Sequence, residues 1–238
     1  KMGISKACSI GNKVDVDECD VLEYLIDDPD TSTIGLYLES IPDGRRFTDL
    51  CRQSQKPIVV LQGGKSKKGA EAAMSHTASL AGNAAVIRGA LAQVGVVEAY
   101  DFKQMMDVCR TLERYSAVRE VNPGRVAIMT MSGAAGIVSA DFIDSQNLAV
   151  AELSKDTRES LKQIFPDWMP VTNPIDLWPA VEVHGRKKTY GRAFEAVCAD
   201  PNVDAILIHL FVFSGVPNAN ILPLVDMANK AGKPLFCW

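Results

Sequence analysis

The sequence predicts an α/β protein of two domains, each a mainly parallel sheet flanked by helices. Three observations carry this. Short runs rich in valine and isoleucine alternate with amphipathic stretches, the signature of βαβ units. The 238 residues are 47% apolar and 23% charged, with a formal net charge of −4, which is ample apolar material for two ordinary cores. Around Val118 to Pro123 the chain turns charged and closes on Asn122-Pro123-Gly124, a strong breaker. The expected domains are therefore 1–120 and 121–238.

In the first domain, Ala7 to Ile10 reads as a strand, and Glu18 to Ile26 as a helix with Cys19, Leu22 and Ile26 on one face. Thr33 to Leu38 is apolar and strand-like, and Asp43-Gly44 opens a helix through Phe47, Leu50 and Cys51. Pro57 begins the strand Ile58 to Leu61, Gln62-Gly63-Gly64 ends it, and a loop is expected from there to His76. Beyond Asn83 a helix with Val86, Ile87, Ala90 and Leu91 leads to the short strand Val96-Val97. Asp101 then caps a helix carrying Phe102, Met105, Met106, Cys109 and Leu112, a stripe that reads as core.

The second domain opens with the strand Arg125 to Met131, a tight glycine turn at Ser132-Gly133-Ala134-Ala135-Gly136 and a helix from Ile137 to Asp144. Strands at Leu148 to Ala151, Ala205 to Phe213 and Leu235 to Cys237 alternate with helices at Thr157 to Ile164, Tyr190 to Ala199 and Ile221 to Ala231. Between them Pro166 to Gly185, with four prolines and two tryptophans, reads as a long ordered loop of the kind that carries function.

Composition excludes several classes. The acidic balance does not suit a basic nucleic-acid surface, and no apolar run reaches the roughly 20 residues that span a bilayer. The first residues lack a signal peptide's apolar core, so a cytoplasmic protein is expected. Six cysteines are scattered without a C-x-x-C pair, which signals neither a zinc site nor a disulfide framework. A start on Lys1-Met2-Gly3 and a stop at Trp238, just past a strand-like run, lead us to expect a fragment of a longer protein.

Four places carry chemistry. His76 stands in Ala73-Met74-Ser75-His76-Thr77-Ala78-Ser79-Leu80-Ala81-Gly82-Asn83, where small neighbours leave room for a phosphate or acyl group. It is either a loop histidine bonded to backbone or a nucleophile, because a neutral imidazole attacks without prior deprotonation. Gly64-Lys65-Ser66 resembles the end of a P-loop, but Val59 stands where that motif needs glycine; Lys65, Lys67 and Lys68 still make the loop cationic, either to attract phosphate or carboxylate groups or as a solvated lysine cluster. Ser132, Gly133, Ala134, Ala135 and Gly136 join a strand to a helix through small residues, an arrangement that binds phosphate on free N–H groups or serves turn geometry alone. Glu39 falls at the carboxyl end of a strand, where functional groups of open parallel sheets gather; it could orient His76 or cap a helix. Asn173-Pro174-Ile175-Asp176 reads as a structured turn, and His209 as a satisfied core or strand-end histidine.

Taken in order, these segments resemble the succinyl-CoA synthetase superfamily, and within it the NDP-forming acyl-CoA synthetases. The resemblance rests on Ser9-Ile10-Gly11-Asn12-Lys13-Val14-Asp15-Val16, on Leu36-Tyr37-Leu38-Glu39-Ser40-Ile41-Pro42-Asp43-Gly44-Arg45-Arg46-Phe47, on Lys56 to Leu61 and on Ser75 to Gly82, with Asn173-Pro174-Ile175-Asp176 in the second half. It covers nearly the whole chain and implies two flavodoxin-like ligase domains, the first holding the phosphohistidine segment. It implies His76 as the phosphohistidine, Glu39 as the carboxylate that orients it, and Ser132 to Gly136 as one of two helix starts gripping the phosphate. Ala78 departs from the glycine usual after His-Thr.

Coenzyme A, ATP or ADP with Mg, and a small carboxylic acid would be the reactants, bound mainly outside these residues. A CoA-binding domain and an ATP-grasp domain would be supplied by the same chain or a partner subunit, in an oligomer. The fragment alone would be inactive. Two other readings remain at this point: a ligand-sensing domain fused to an acetyltransferase, and a non-catalytic flavodoxin-like binding module.

Overall fold

The computed structural model describes residues 3–77, 83–115, 124–210 and 221–238, without the side chains of 75–77. The chain divides into two compact units, Lys1–Arg119 and Glu120–Trp238.

In the first unit, α1 (Glu18–Asp27), β1 (Ile34–Leu38), α2 (Gly44–Gln53), β2 (Ile58–Gln62), α3 (Lys67–Thr77), α4 (Ala84–Gln93), β3 (Val97–Ala99) and α5 (Phe102–Tyr115) follow in order. The strands form a parallel sheet, β1-β2-β3, with Ile34 opposite Ile58 and Val59 opposite Val97. All five residues of β2 are buried, as a central parallel strand requires. Its period-two alternation feeds two cores. Ile58 and Val60 pack with Cys19 and Leu22 of α1, Phe47 and Cys51 of α2 and Leu91 of α4. Val59 and Leu61 face the other way, onto the partly buried Met105, Val108, Cys109 and Leu112 of α5, so Met105, Cys109 and Leu112 of the expected stripe pack on the core at its margin. Phe102, at the start of that helix, is exposed.

Local signals set the ends of these helices. Asp17 caps α1 by accepting the Cys19 and Asp20 N–H groups, and the Asp20 carboxylate returns the bond in a capping box. Asp43 caps α2 by accepting the Arg46 N–H, and the Arg46 guanidinium bonds Asp20 and Glu23 at 2.8 and 3.0 Å, tying α2 to α1.

Two expectations fail here. Ala7 to Ile10 is not a strand: it has no regular structure, and among the described residues β1 pairs with β2 alone. The loop expected from Gln62 to His76 is a helix from Lys67 onward. Ala70, Ala72 and Ala73 supply helix propensity there, on a segment whose weak apolar periodicity hides it.

The second unit contains β4 (Arg125–Thr130), α6 (Gly133–Ser145), β5 (Ala149–Val150), α7 (Lys155–Lys162), β6 (Ile175–Asp176), α8 (Trp178–His184), α9 (Arg186–Ala199), β7 (Ala205–Ile208), α10 (Leu222–Ala231) and β8 (Leu235–Cys237). Its parallel sheet runs β5-β4-β7-β8, and β6 joins β4 beyond the end of β5. Ala127, Met129, Ile206 and Ile208 face Leu161, Ala180, Phe194 and Val197, while Val126, Ile128 and Ala205 face Ile143 of α6. Helices therefore cover both sides.

The stretch Pro166 to Gly185 is not irregular throughout. It holds β6 and α8, both too short to show a period. The helix expected from Ile137 starts at Gly133, so the glycine turn is the first turn of α6. Of the run expected as a strand from Ala205 to Phe213, the strand ends at Ile208, and 211–220 lie outside the described residues.

Candidate functional site

In the first unit, the site is built at the carboxyl end of β1 and β2. Glu39 follows β1 directly and is half-buried. Tyr37, two residues earlier and therefore on the same face, donates its hydroxyl to Glu39 Oε1 at 3.2 Å. Burial and the Glu39 carboxylate push the Tyr37 phenol up from its ordinary value, which keeps it a donor. The Gly63 N–H bonds Leu38 O at 2.9 Å and brings this residue against both side chains. A Cβ at Gly63 would lie 2.8 Å from Tyr37 Oη and 3.3 Å from Glu39 Cγ, so only glycine leaves the pair undisturbed.

The cationic loop after β2 is largely committed. Lys65 forms an ion pair with Glu98 at β3, which Arg88 Nε also bonds at 3.0 Å, and Lys68 pairs with Glu71 at 2.7 Å. Burial opposes ionisation of Glu98, but the two cations outweigh it and hold this carboxyl below its usual range.

His76 is the penultimate residue of α3, nine residues past Lys67 and so about 14 Å along the helix. Its side chain, and residues 78–82 of the small-residue segment, lie outside the described residues. Glu39 and His76 belong to the same compact unit.

In the second unit, β4 delivers the chain to the start of α6. Ser132 is its N-cap, with Oγ accepting the Ala135 N–H at 3.3 Å, while the Ser132 carbonyl accepts the Gly136 N–H at 3.0 Å. Among the described residues, the N–H groups of Gly133 and Ala134 make no hydrogen bond. Two donors at the positive end of a 13-residue helix dipole thus remain for an anion. Gly136 lets this turn sit tightly on the Asn173-Pro174 segment, for a Cβ there would meet Pro174 Cβ at 3.0 Å and Thr130 Cγ2 at 3.3 Å. The Asp176 carboxylate stands close by, 3.5 Å from where a Gly133 Cβ would be.

Asn173 does more than make a turn. Its amide nitrogen donates to Val126 O and Ala151 O at 2.9 Å each, and its carbonyl accepts the Ile128 N–H at 2.8 Å. The edge of β4 is therefore served in sequence by β5, by this one side chain and by β6. His209 is 1% exposed and satisfied at both ring nitrogens, as its apolar strand suggests.

Sequence reasoning missed Tyr37, Gly63 and Thr130. Tyr37 was signalled by its spacing of two from Glu39, while Gly63 and Thr130 matter through contacts that no local pattern encodes.

Residues 1–112 match the succinyl-CoA ligase like flavodoxin domain, and the first unit belongs to that family. Over 99% of its length it is 37% identical to acetate–CoA ligase (ADP-forming) II of Archaeoglobus fulgidus. It is equally similar to the alpha subunit of acetate–CoA ligase (ADP-forming) II of Pyrococcus furiosus, again over 99% of the chain. It spans 34% of the first relative and 51% of the second. The dinucleotide-forming acetyl-coenzyme A synthetase 1 of Ca. Korarchaeum cryptofilum, in complex with phosphate and ADP, superposes with a TM-score of 0.79 at 28% identity, covering 96% of this chain and 49% of that one. Among the described residues no helix is long and apolar enough to cross a membrane.

Proposed function

We propose that this chain is the phosphoryl-relay core of an ADP-forming acyl-CoA synthetase, converting a carboxylic acid, coenzyme A and ATP to acyl-CoA, ADP and phosphate, and reversibly. The observation that carries it is the start of α6, where two backbone N–H groups without partners meet a helix dipole in a chain related throughout to ADP-forming acetate–CoA ligases. In this reading a ring nitrogen of His76 attacks the terminal phosphorus of the triphosphate and ADP departs. The carboxylate of the acid then takes the phosphoryl group from the imidazole, and coenzyme A thiolate displaces phosphate from the acyl phosphate. The histidine splits one hard displacement into two easier ones.

Glu39, braced by Tyr37, accepts a hydrogen bond from the other ring nitrogen of His76 and fixes the tautomer. The segment Ser132, Gly133, Ala134, Ala135 and Gly136 receives the phosphate, which the N–H groups of Gly133 and Ala134 stabilise as charge builds on its oxygens. The first domain, 1–120, contributes the phosphohistidine segment and the second, 121–238, this helix start. Coenzyme A, the nucleotide and Mg are held by a CoA-binding domain and an ATP-grasp domain beyond these residues or in a partner subunit, within a cytoplasmic oligomer.

Incubating the intact protein with ATP labelled in its terminal phosphate tests this. Acid-labile, base-stable label is expected, absent from His76→Ala and acquired more slowly by Glu39→Gln. Full labelling of the alanine variant would exclude His76 as the carrier.

A further inference from the structure

Beneath the start of α6 lies a buried polar chain that no local motif announces. Thr130, 0% exposed at the end of β4, donates its hydroxyl to Ser132 O at 3.1 Å and accepts the Ser132 N–H at 3.0 Å, clasping the capping residue by both backbone groups. His209 Nδ1 lies 3.0 Å from the same Thr130 oxygen. With the one hydroxyl hydrogen directed to Ser132 O, Nδ1 is the donor to the Thr130 oxygen. Nε2 is then the acceptor, taking the hydroxyl of Ser139 on α6 at 3.1 Å.

The backbone holds the ring in turn. The His209 N–H bonds Met129 O at 2.9 Å, Tyr190 Oη donates to His209 O at 3.3 Å, and the Trp238 ring meets the imidazole edge-on at 5.2 Å. Burial lowers the pKa of His209 below its ordinary value, which agrees with a neutral ring.

We propose that His209 is a positioning residue: as a neutral Nδ1–H imidazole it locks Thr130, and through it Ser132, so that the Gly133 and Ala134 N–H groups are held in place for inorganic phosphate or a phosphoryl group. This rests on the reading of the α6 start as phosphate-binding. His209 touches no reactant. It joins the strand end, the cap and the second turn of the helix into one rigid unit, and a fixed donor pair binds an oxyanion without reordering.

Asparagine and glutamine separate this role from core filling, since an Asn amide nitrogen can stand where Nδ1 stands and a Gln amide nitrogen where Nε2 stands. In the intact protein, the dissociation constant for inorganic phosphate is measured by titration calorimetry for His209→Asn and His209→Gln, with thermal midpoints alongside. The Gln variant should bind phosphate about fivefold to tenfold more weakly, the equivalent of one buried hydrogen bond, and the Asn variant within about twofold of wild type. Thr130→Val and Thr130→Ser form an independent pair if a histidine variant fails to fold, with loss expected in the first and retention in the second. Ala134→Asp, which sets a carboxylate at the helix start, should abolish phosphate binding. If it does not, the reading of the helix start falls, and the role of His209 with it. If it does, but Asn and Gln at 209, or Val and Ser at 130, weaken binding equally, only the positioning role is refuted.

Discussion

Replacing Asn173 tests how the second unit is held together. Its side chain makes three hydrogen bonds to main-chain groups of buried residues: Ile128 N–H to its oxygen, and its nitrogen to Val126 O and Ala151 O. Val126 O also accepts the Ala151 N–H at 2.9 Å, so in Asn173→Ala that oxygen keeps a partner, while Ile128 N–H and Ala151 O lose theirs. At about 0.5–1.5 kcal/mol net per bond, with more where a buried group is stranded, the alanine variant should lose roughly 2–4 kcal/mol. Asn173→Asp should be worse despite its shape. Its carboxylate still accepts the Ile128 N–H but turns a negative charge on two carbonyl oxygens. All three tryptophans of the chain, Trp168, Trp178 and Trp238, lie in the second unit, so their fluorescence during urea unfolding of the 238-residue chain reports this unit selectively. A loss below about 1 kcal/mol for alanine, or an aspartate variant as stable as wild type, would refute the reasoning.

Three further substitutions follow from contacts. Gly63→Ala should displace Tyr37 and Glu39 and slow phosphate labelling of His76, while the thermal midpoint moves by only a few degrees; unchanged labelling would contradict the proposed role of the pair. Gly136→Ala gains about 1 kcal/mol of helix propensity but forces a Cβ to 3.0 Å from Pro174, an overpacking of about 1–3 kcal/mol, so a lower midpoint is expected and a higher one would show that the turn can shift. Asp204 is held below the ordinary carboxyl range chiefly by hydrogen bonds from the Arg125 guanidinium, at 2.8 and 2.9 Å, against burial. A depressed folded pKa gives stability that is present above the unfolded value of 3.8 and is lost as pH falls through the lower folded one. Asp204→Asn should therefore cost about 1 kcal/mol at pH 7 and match wild type near pH 2, which denaturation at the two pH values checks.

Much of the fold was legible because strong local signals coincided with tertiary ones. Ile34 to Leu38, Ile58 to Leu61 and Leu235 to Cys237 are short β-branched or apolar runs that pair in the parallel sheets, Ile58 to Leu61 buried throughout, and Asp17, Asp43 and Asn83 cap helices where capping chemistry places them. What escaped depends on partners. Ala7 to Ile10 has strand composition but forms no ladder among the described residues, and β6 is two residues whose existence depends on β4 beside it. The start of α6 was read one turn late because Gly133 and Gly136 suggest a loop. Both are helical, and Gly136 is small for the sake of Pro174 rather than for backbone freedom. At the candidate site, Glu39 and Ser132 to Gly136 stand out by position along strands, whereas Thr130 and His209 are 79 residues apart and meet only in the fold.

Because Lys65 and Lys68 are already paired with Glu98 and Glu71, the loop after β2 presents much less net charge than its composition suggests. Anion capture in this chain would then rest on oriented peptide dipoles rather than on mobile ammonium groups. Lysine clusters lose their pull as ionic strength rises, whereas direct contact with two backbone N–H donors acts at a range shorter than the roughly 8 Å screening length of physiological salt. Phosphate affinity should fall less steeply with added potassium chloride than it would at a site built from lysines, a property suited to a carrier that must hold a small dianion among abundant competing ions.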